Sequence, residues 1–239
     1  MSVMPNLAEL RQASAELDGV ELIRVLAGPG GPLRHKTALV SSFGAESVVL
    51  LHMAAQVDQA LPVIFLDTGR HFPETIAYRD TLVRRLGLTD IRNAYPEAAE
   101  LRRYDRHGRL FETDPDLCCD IRKTQPLAEE LEGFGAWMTG RKRFQGGLRT
   151  ALDTIEPEGA TGRVKLNPLA SWDAAQIEAY RVAYDLPAHP LVARGFRSIG
   201  CATCTRPTRE GEDARAGRWA GIDKTECGIH LPQPYGDNI

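Results

Sequence analysis

Short apolar runs recur along the middle of the chain, each ending in a polar loop and then a helical pattern. Thr37-Ala-Leu-Val40 is apolar and partly branched, as a buried strand is. It runs into Ser41-Ser-Phe-Gly-Ala-Glu-Ser47, and Val48-Val-Leu-Leu51 then starts a helix predicted to about Gln56. Pro62-Val-Ile-Phe-Leu66 predicts the next strand, Asp67-Thr-Gly-Arg-His-Phe72 its loop, and Pro73-Glu-Thr75 a helix with proline in the favoured first turn. A weaker strand follows near 90–94 and a charged helix near 96–104. The pair Cys118-Cys119 is expected to open a helix running through Leu131. Ala136-Trp-Met-Thr139 predicts a further strand, which ends in the cation-rich loop 140–149. Residues 164–166 are expected to form a short hairpin arm with 151–155, and Trp172 to Tyr184 a helix capped by Ser171. Upstream of all this lie an amphipathic helix near Leu7 to Leu17 and the loop Gly28-Pro-Gly-Gly-Pro32.

Strands alternating with helices imply an α/β fold, a mostly parallel sheet with helices on both faces and ligands at the carboxyl ends of its strands. The suspect loops are therefore 41–47, 67–72 and 140–149. The expected organisation is an N-terminal helical appendage (1–35), an α/β domain (36–194) and a loop-rich segment (195–239), where periodicity fades. That last segment is expected to be mobile unless ligated. No internal repeat or low-complexity stretch interrupts the pattern.

Composition narrows the function. With 239 residues, 43% hydrophobic and 26% charged, the chain reads as an ordinary soluble globular protein with one sizeable core. No apolar run reaches membrane-span length, and the first twenty residues lack a basic region before an apolar core, so a cytoplasmic location is expected. A net charge of −3 argues against nonspecific nucleic-acid binding, whereas locally dense arginines suit a small anion. Five cysteines in a reducing compartment point away from a disulfide framework and toward metal ligation or thiol chemistry.

The cysteines divide unevenly: Cys118-Cys119 adjacent, Cys201-Ala-Thr-Cys204 as a second pair, and Cys227 alone in Lys-Thr-Glu-Cys-Gly-Ile-His230. Four thiolates could hold a structural zinc ion. Neighbouring residues rarely both reach one ion without strain, while an iron-sulfur cubane offers them separate corners. Lys123 would put a cation beside such a cluster. Cys227 could be an unremarked buried thiol, yet Gly221 and Gly228 flank it and Lys224 and His230 could favour its thiolate. Arg206, Arg209, Arg215 and Arg218 precede it, as a doubly charged substrate would require. The 41–47 loop at a helix N-terminus offers N–H groups and a dipole to an anion, although an N-capping serine in a plain turn would look the same. Asp67 reads as a strand-end turn residue.

Ser42-Phe-Gly-Ala-Glu-Ser47 resembles the Ser-x-Gly-x-Asp-Ser loop of the PP-loop (adenine nucleotide alpha hydrolase-like) fold. Phe43 stands where the ATP-cleaving members usually have a second glycine, which suggests a nucleotide with fewer phosphates. Together with Leu66-Asp-Thr-Gly-Arg70, Cys118-Cys-x-x-Arg-Lys-x-x-Pro-Leu127, Thr139-Gly-Arg-Lys-Arg143, Asn167-Pro-Leu169, Cys201-x-x-Cys204 and Lys224-Thr-Glu-Cys-Gly-Ile-His230, it makes the stretch from Ala38 to Pro232 resemble the assimilatory adenylylsulfate/phosphoadenylylsulfate reductases. The cluster-bearing members, which reduce adenosine 5'-phosphosulfate (APS), resemble it most.

That resemblance implies one [4Fe-4S] cluster on Cys118, Cys119, Cys201 and Cys204. It implies a nucleotide loop of Ser42, Gly44 and Ser47, with Leu66 and Gly140 against the adenosine. Lys123, Arg149, Arg215 and Arg218 would grip the phosphosulfate, and Cys227 would be the nucleophile. Attack by its thiolate would give an S-sulfocysteine and AMP, and thioredoxin or a similar dithiol would then release sulfite. A substrate carrying a 3'-phosphate (PAPS), alone or beside APS, is the alternative. A PP-loop tRNA thiolase and a non-catalytic nucleotide sensor are further rivals. The oligomeric state is not fixed by sequence, and a homo-oligomer is open.

Overall fold

The computed structural model describes residues 5–230. Pro232 and the rest of 231–239, included above in the resemblance and the C-terminal segment, lie outside the described residues, as do residues 1–4.

Helices α1 (Leu7–Ala13) and α2 (Gly19–Ala27) come first, followed by β1 (Thr37–Val40), α3 (Ser47–Val57), β2 (Val63–Leu66), α4 (Pro73–Leu86), β3 (Ile91–Ala94) and α5 (Ala98–Tyr104). Two short helices, α6 (Leu110–Thr113) and α7 (Pro115–Cys119), lead through a π-helical turn (Asp120–Thr124) into α8 (Gln125–Glu130). Strands β4 (Ala136–Met138), β5 (Ile155–Glu158) and β6 (Arg163–Leu166) and helix α9 (Ala174–Ala183) complete the frame. The six strands form one sheet in the order β3-β2-β1-β4-β6-β5. Only the β5–β6 pair is antiparallel, with Ile155 opposite Leu166; the other four pairings are parallel.

Side chains alternate between the two faces of this sheet, and helices cover both. Leu39, Val63, Phe65 and Met138 pack with α2, α3 and α4 in the main core. Ala38, Ile64, Leu66 and Trp137 face the other way, onto Leu127 and Leu131 at α8. The mostly parallel α/β sheet expected from the alternation is therefore present.

Several local expectations change. The N-terminal pattern breaks into two helices, and α2 is part of the main core: Leu22, Ile23 and Leu26 are fully buried against α3. Burial of each such side chain contributes roughly 1.5–3 kcal/mol, so this stretch is an integral layer and not an appendage. The cysteine pair closes α7 instead of opening a helix. The start signal lies upstream, where Asp114 accepts from the Leu117 N–H and Pro115 takes the first position. The hairpin forms at 155–158 with 163–166, and its second strand is also the parallel neighbour of β4. Asp173, not Ser171, caps α9, accepting from the Gln176 N–H; the Ser171 hydroxyl donates to Asp18 instead. Between residues 195 and 230 the described chain holds no helix or strand beyond a short 3-10 turn at Ala202–Cys204 and an isolated bridge between Thr205 and Arg218.

Candidate active site

The carboxyl ends of β1, β2 and β4 open onto a cleft of about 210 Å³. Its floor is the loop after β1, where Ser42, Gly44 and Ser47 all face the space. This loop is closed on itself: the Phe43 N–H donates to Ser41 Oγ and the Gly44 N–H to Ser47 Oγ, at 3.1 and 2.9 Å. A Cβ on Gly44 would stand 3.2 Å from the Ile199 carbonyl oxygen, so the bare backbone lets the C-terminal segment cross closely overhead. Leu66 and Gly140 line the same cleft, and beside Gly140 the nearest atom to an added Cβ is Leu50 Cδ2, at 3.8 Å. Asp67 does not line the cleft; its carboxylate accepts from the Gly69 N–H at 3.1 Å, as a turn residue does.

The four cations arrive from three segments. Lys123 comes from the π-helical turn, Arg149 from the loop after β4, and Arg215 and Arg218 from the C-terminal segment, and all four line the cleft together with Cys227. Arg149 and Arg215 share one carboxylate, that of Glu226. Arg149 forks onto it at 2.7 and 2.9 Å, and Arg215 approaches to 3.3 Å. Burial and the nearby Arg149 charge bring the Arg215 guanidinium down to about 10. Burial opposes the charge of Glu226, but the bonded Arg149 outweighs it and holds the carboxyl below its usual range. Arg218 lies over the Trp219 ring at 4.5 Å, with its Nε unpartnered.

A smaller cavity adjoins the cleft, lined by Cys118, Cys119, Cys201 and Cys204 with Arg70, Arg122 and Lys123. All five cysteines are free thiols. Burial pushes the Cys119 thiol up to about 12 and the Cys118 thiol upward as well. Cys201 is buried too, yet Lys123 and a 3.4 Å contact with Thr68 Oγ1 bring it below its ordinary value. Lys123 and Cys201 line both cavities. Burial works against the Lys123 charge, but the thiols of Cys201, Cys227 and Cys119 hold its ammonium above the usual range. Among the described residues, no three His, Cys, Asp or Glu groups converge as the ligands of one metal ion.

Residues 36–207 match the family described as the phosphoadenosine phosphosulfate reductase domain. The chain belongs to the phosphoadenosine phosphosulfate reductase family. It is 56% identical to the adenosine 5'-phosphosulfate reductase of Mesorhizobium japonicum over 81% of this chain and 76% of that one. It is 41% identical to the phosphoadenosine 5'-phosphosulfate reductase of Gloeobacter violaceus, over 82% of each. Among solved structures it resembles the phosphoadenylyl-sulfate reductase of Candida auris in its phosphate complex. That likeness has a TM-score of 0.69 and 28% identity, covering 86% of this chain and all of that one. Yeast FAD synthetase shares the fold alone, at TM-score 0.53 and 18% identity.

Every cleft and thiol position that the family resemblance implied is thus brought to one end of the sheet of this reductase-family chain. One reading of the sequence changes, that of His230. Phe43 keeps its ring out of the cleft. Its backbone takes a left-handed φ of 47°, and this turns the fully buried ring into the core, edge-on to Phe65 at 5.5 Å. His230 is no cation beside Cys227. It is stacked on Trp137 at 5.6 Å, and burial followed by the charges of Arg141 and Arg149 holds it neutral, well below its ordinary range. Lys224 pairs with Asp116.

Sequence reading missed Glu226, Trp137 and Arg197 as cleft residues of this family member. Glu226 stood in the quoted motif beside Cys227, and its acidic charge among arginines was the available signal. The structure also accounts for Asn167. Its side-chain oxygen accepts from Thr139 Oγ1 at 2.8 Å, while its amide donates to the Asp153 carbonyl and to Glu156. One residue thereby ties the loop after β4 to β5.

Proposed function

We propose that this chain reduces adenosine 5'-phosphosulfate to sulfite and AMP in assimilatory sulfate reduction, with Cys227 as nucleophile and a dithiol protein such as thioredoxin as reductant. The observation that carries this reading is the single cleft shared by Ser42, Gly44 and Ser47, four cations and the Cys227 thiol. The nucleotide would lie along the strand ends, with its adenosine against Leu66 and Gly140 and its phosphate toward the loop leading into α3, where N–H groups and the helix dipole favour an anion. Lys123, Arg149, Arg215 and Arg218 would take the phosphosulfate.

In that position the Cys227 thiolate attacks the sulfate sulfur. A sulfur–sulfur bond forms, the bond from that sulfur to the bridging oxygen breaks, and AMP leaves with the electron pair. The cations screen the incoming thiolate from the anionic sulfate and stabilise the charge gathering on the departing phosphate. A thiolate of the external dithiol then attacks Cys227 Sγ. Sulfite departs, and the partner's second thiol resolves the mixed disulfide, so the two electrons come from the dithiol.

Cys118, Cys119, Cys201 and Cys204 suit a [4Fe-4S] cluster, because four otherwise unpaired thiols surround one cavity beside cations, and adjacent residues can ligate separate irons. When bound, such a cluster would fasten the 201–204 loop to the end of α7 and set its negative charge beside Lys123. The surroundings favour APS over PAPS. Arg141 is committed to Glu156, Lys142 to Glu46 and Arg143 to the Leu152 carbonyl, leaving this cationic run engaged with protein partners.

The test is a single-turnover reaction without reductant. Mixing the protein with APS should release about one AMP per chain and add a sulfonate mass to the peptide containing Cys227, because the first step needs no second thiol. PAPS should react more slowly, ATP should not be consumed, and Cys227→Ser should release no AMP. A sulfonate on another cysteine would move the nucleophile elsewhere, and equal or faster reaction with PAPS would reverse the substrate assignment.

A further inference from the structure

Four of the cleft cations are paired with carboxylates, and they fall into two groups according to where the carboxylate sits. Arg141 and Lys142 are paired with Glu156 on β5 and Glu46 at the start of α3, both parts of the rigid frame. Arg149 and Arg215 are instead paired with Glu226, on the loop-rich C-terminal segment and directly before Cys227. The Glu226 side chain is 11% exposed and that of Arg149 10%, and both belong to the cleft wall. A carboxylate from the nucleophile's own segment therefore sits on two of the cations that the proposed function assigns to the substrate anion.

We propose that Glu226 is a latch that occupies the phosphosulfate seat until substrate displaces it. The inference rests on the APS reading above. A singly charged carboxylate held by a bidentate guanidinium fork is a close stand-in for one end of a doubly negative phosphosulfate, and the two compete for the same donors. The exchange is favourable because the incoming anion carries the larger charge into a site crowded with like cations. It also links two events. Filling the seat releases the residue next to Cys227, freeing that thiol to reach the sulfur and afterwards the external reductant. In the empty protein the closed latch keeps Cys227 against the cleft, where it is only partly exposed. The cost is a lower apparent affinity, since substrate must first open the latch.

Glu226 acts through Arg149 and Arg215 and is a positioning residue, so its removal has an unusual signature: tighter binding. The test uses the full chain with its cluster and a Cys227→Ser background, which binds APS without turning it over. In that background Glu226→Gln should lower the Kd for APS about tenfold, and Glu226→Asp, which keeps the charge, should stay near the parent value. With Cys227 intact and no substrate present, Glu226→Gln should speed alkylation of Cys227 by iodoacetamide several-fold, read by peptide mass. Unchanged or weaker APS binding in Glu226→Gln, or unaltered alkylation, overturns the latch while leaving the substrate reading in place. Failure of the Cys227→Ser parent to bind APS at all overturns both.

Discussion

A methyl group on Gly200 would stand 2.3 Å from the guanidinium carbon of Arg218, a distance no real Cβ tolerates. The obstacle is the far end of a flexible side chain, so Gly200→Ala should cost little stability while pushing Arg218 out of the cleft. Loss of one charge-assisted contact to substrate is worth roughly 1.5–3 kcal/mol. We expect the KM for APS to rise at least about tenfold, with a thermal midpoint within a few degrees of the parent. An unchanged KM would remove Arg218 from the substrate's contacts. Phe43 makes the complementary point: its left-handed backbone is a conformation that glycine adopts freely and L-residues rarely do. The buried ring and its edge contact with Phe65 supply the compensation.

At the scale of elements, the thiol cavity is built where three pieces meet. Helix α7 ends on Cys118 and Cys119, and the π-helical turn that follows carries Arg122 and Lys123 inward. Such turns insert one extra residue and re-aim the side chains after them; Pro126, with no N–H to donate, lies one residue past the first position of α8. The 201–204 loop is tied in by the Ala202 N–H to the Arg70 carbonyl and by the Trp219 N–H to the Cys204 carbonyl. With so few backbone ties, ligation should matter to its order. Protein purified without oxygen should be yellow-brown, with iron and acid-labile sulfide at about four each per chain. Removing the iron with a chelator should speed hydrogen exchange across residues 195–210 while leaving β1, β2 and β4 protected. Colourless protein with stoichiometric zinc, or unaltered exchange, would remove the cluster from its proposed role.

For the molecule as a whole, the segment leading to the cysteine loop is docked on the α/β frame through His189. The imidazole is fully buried, bonded to Thr75 Oγ1 at 3.1 Å, accepting from the Leu191 N–H and packed edge-on to Tyr78 of α4. Burial lowers its pKa from 6.5 to about 4, and the nearby Glu74 charge opposes that only in part. Between those two values the unfolded chain binds more protons than the folded one, so stability falls as pH drops from about 6.5 toward 4. By pH 5 the loss from this group is about 2 kcal/mol. Urea midpoints measured at pH 7.5 and pH 5 should show it, and His189→Asn, which keeps an acceptor for Leu191 and cannot charge, should flatten the slope. An identical slope in the variant would place the acid sensitivity elsewhere.

The sequence by itself determined the alternation of strands and helices, the three loops at the strand ends and the division of the cysteines into two pairs and one remainder. Each of these is written in a local pattern: apolar periodicity, turn residues, or spacing within a few positions. Tertiary structure alone decided what those patterns meet. Whether Leu22, Ile23 and Leu26 lie on an appendage or in the core depends on α3, which their own periodicity does not mention. The cations at 141–143 look alike in sequence, yet Glu156, Glu46 and a backbone carbonyl occupy them one by one. Glu226 finds Arg149, 77 positions away, only because the chain returns over the strand ends. Ion pairing depends on distance in space and on shared burial, and neither is readable until the sheet has brought the two residues together.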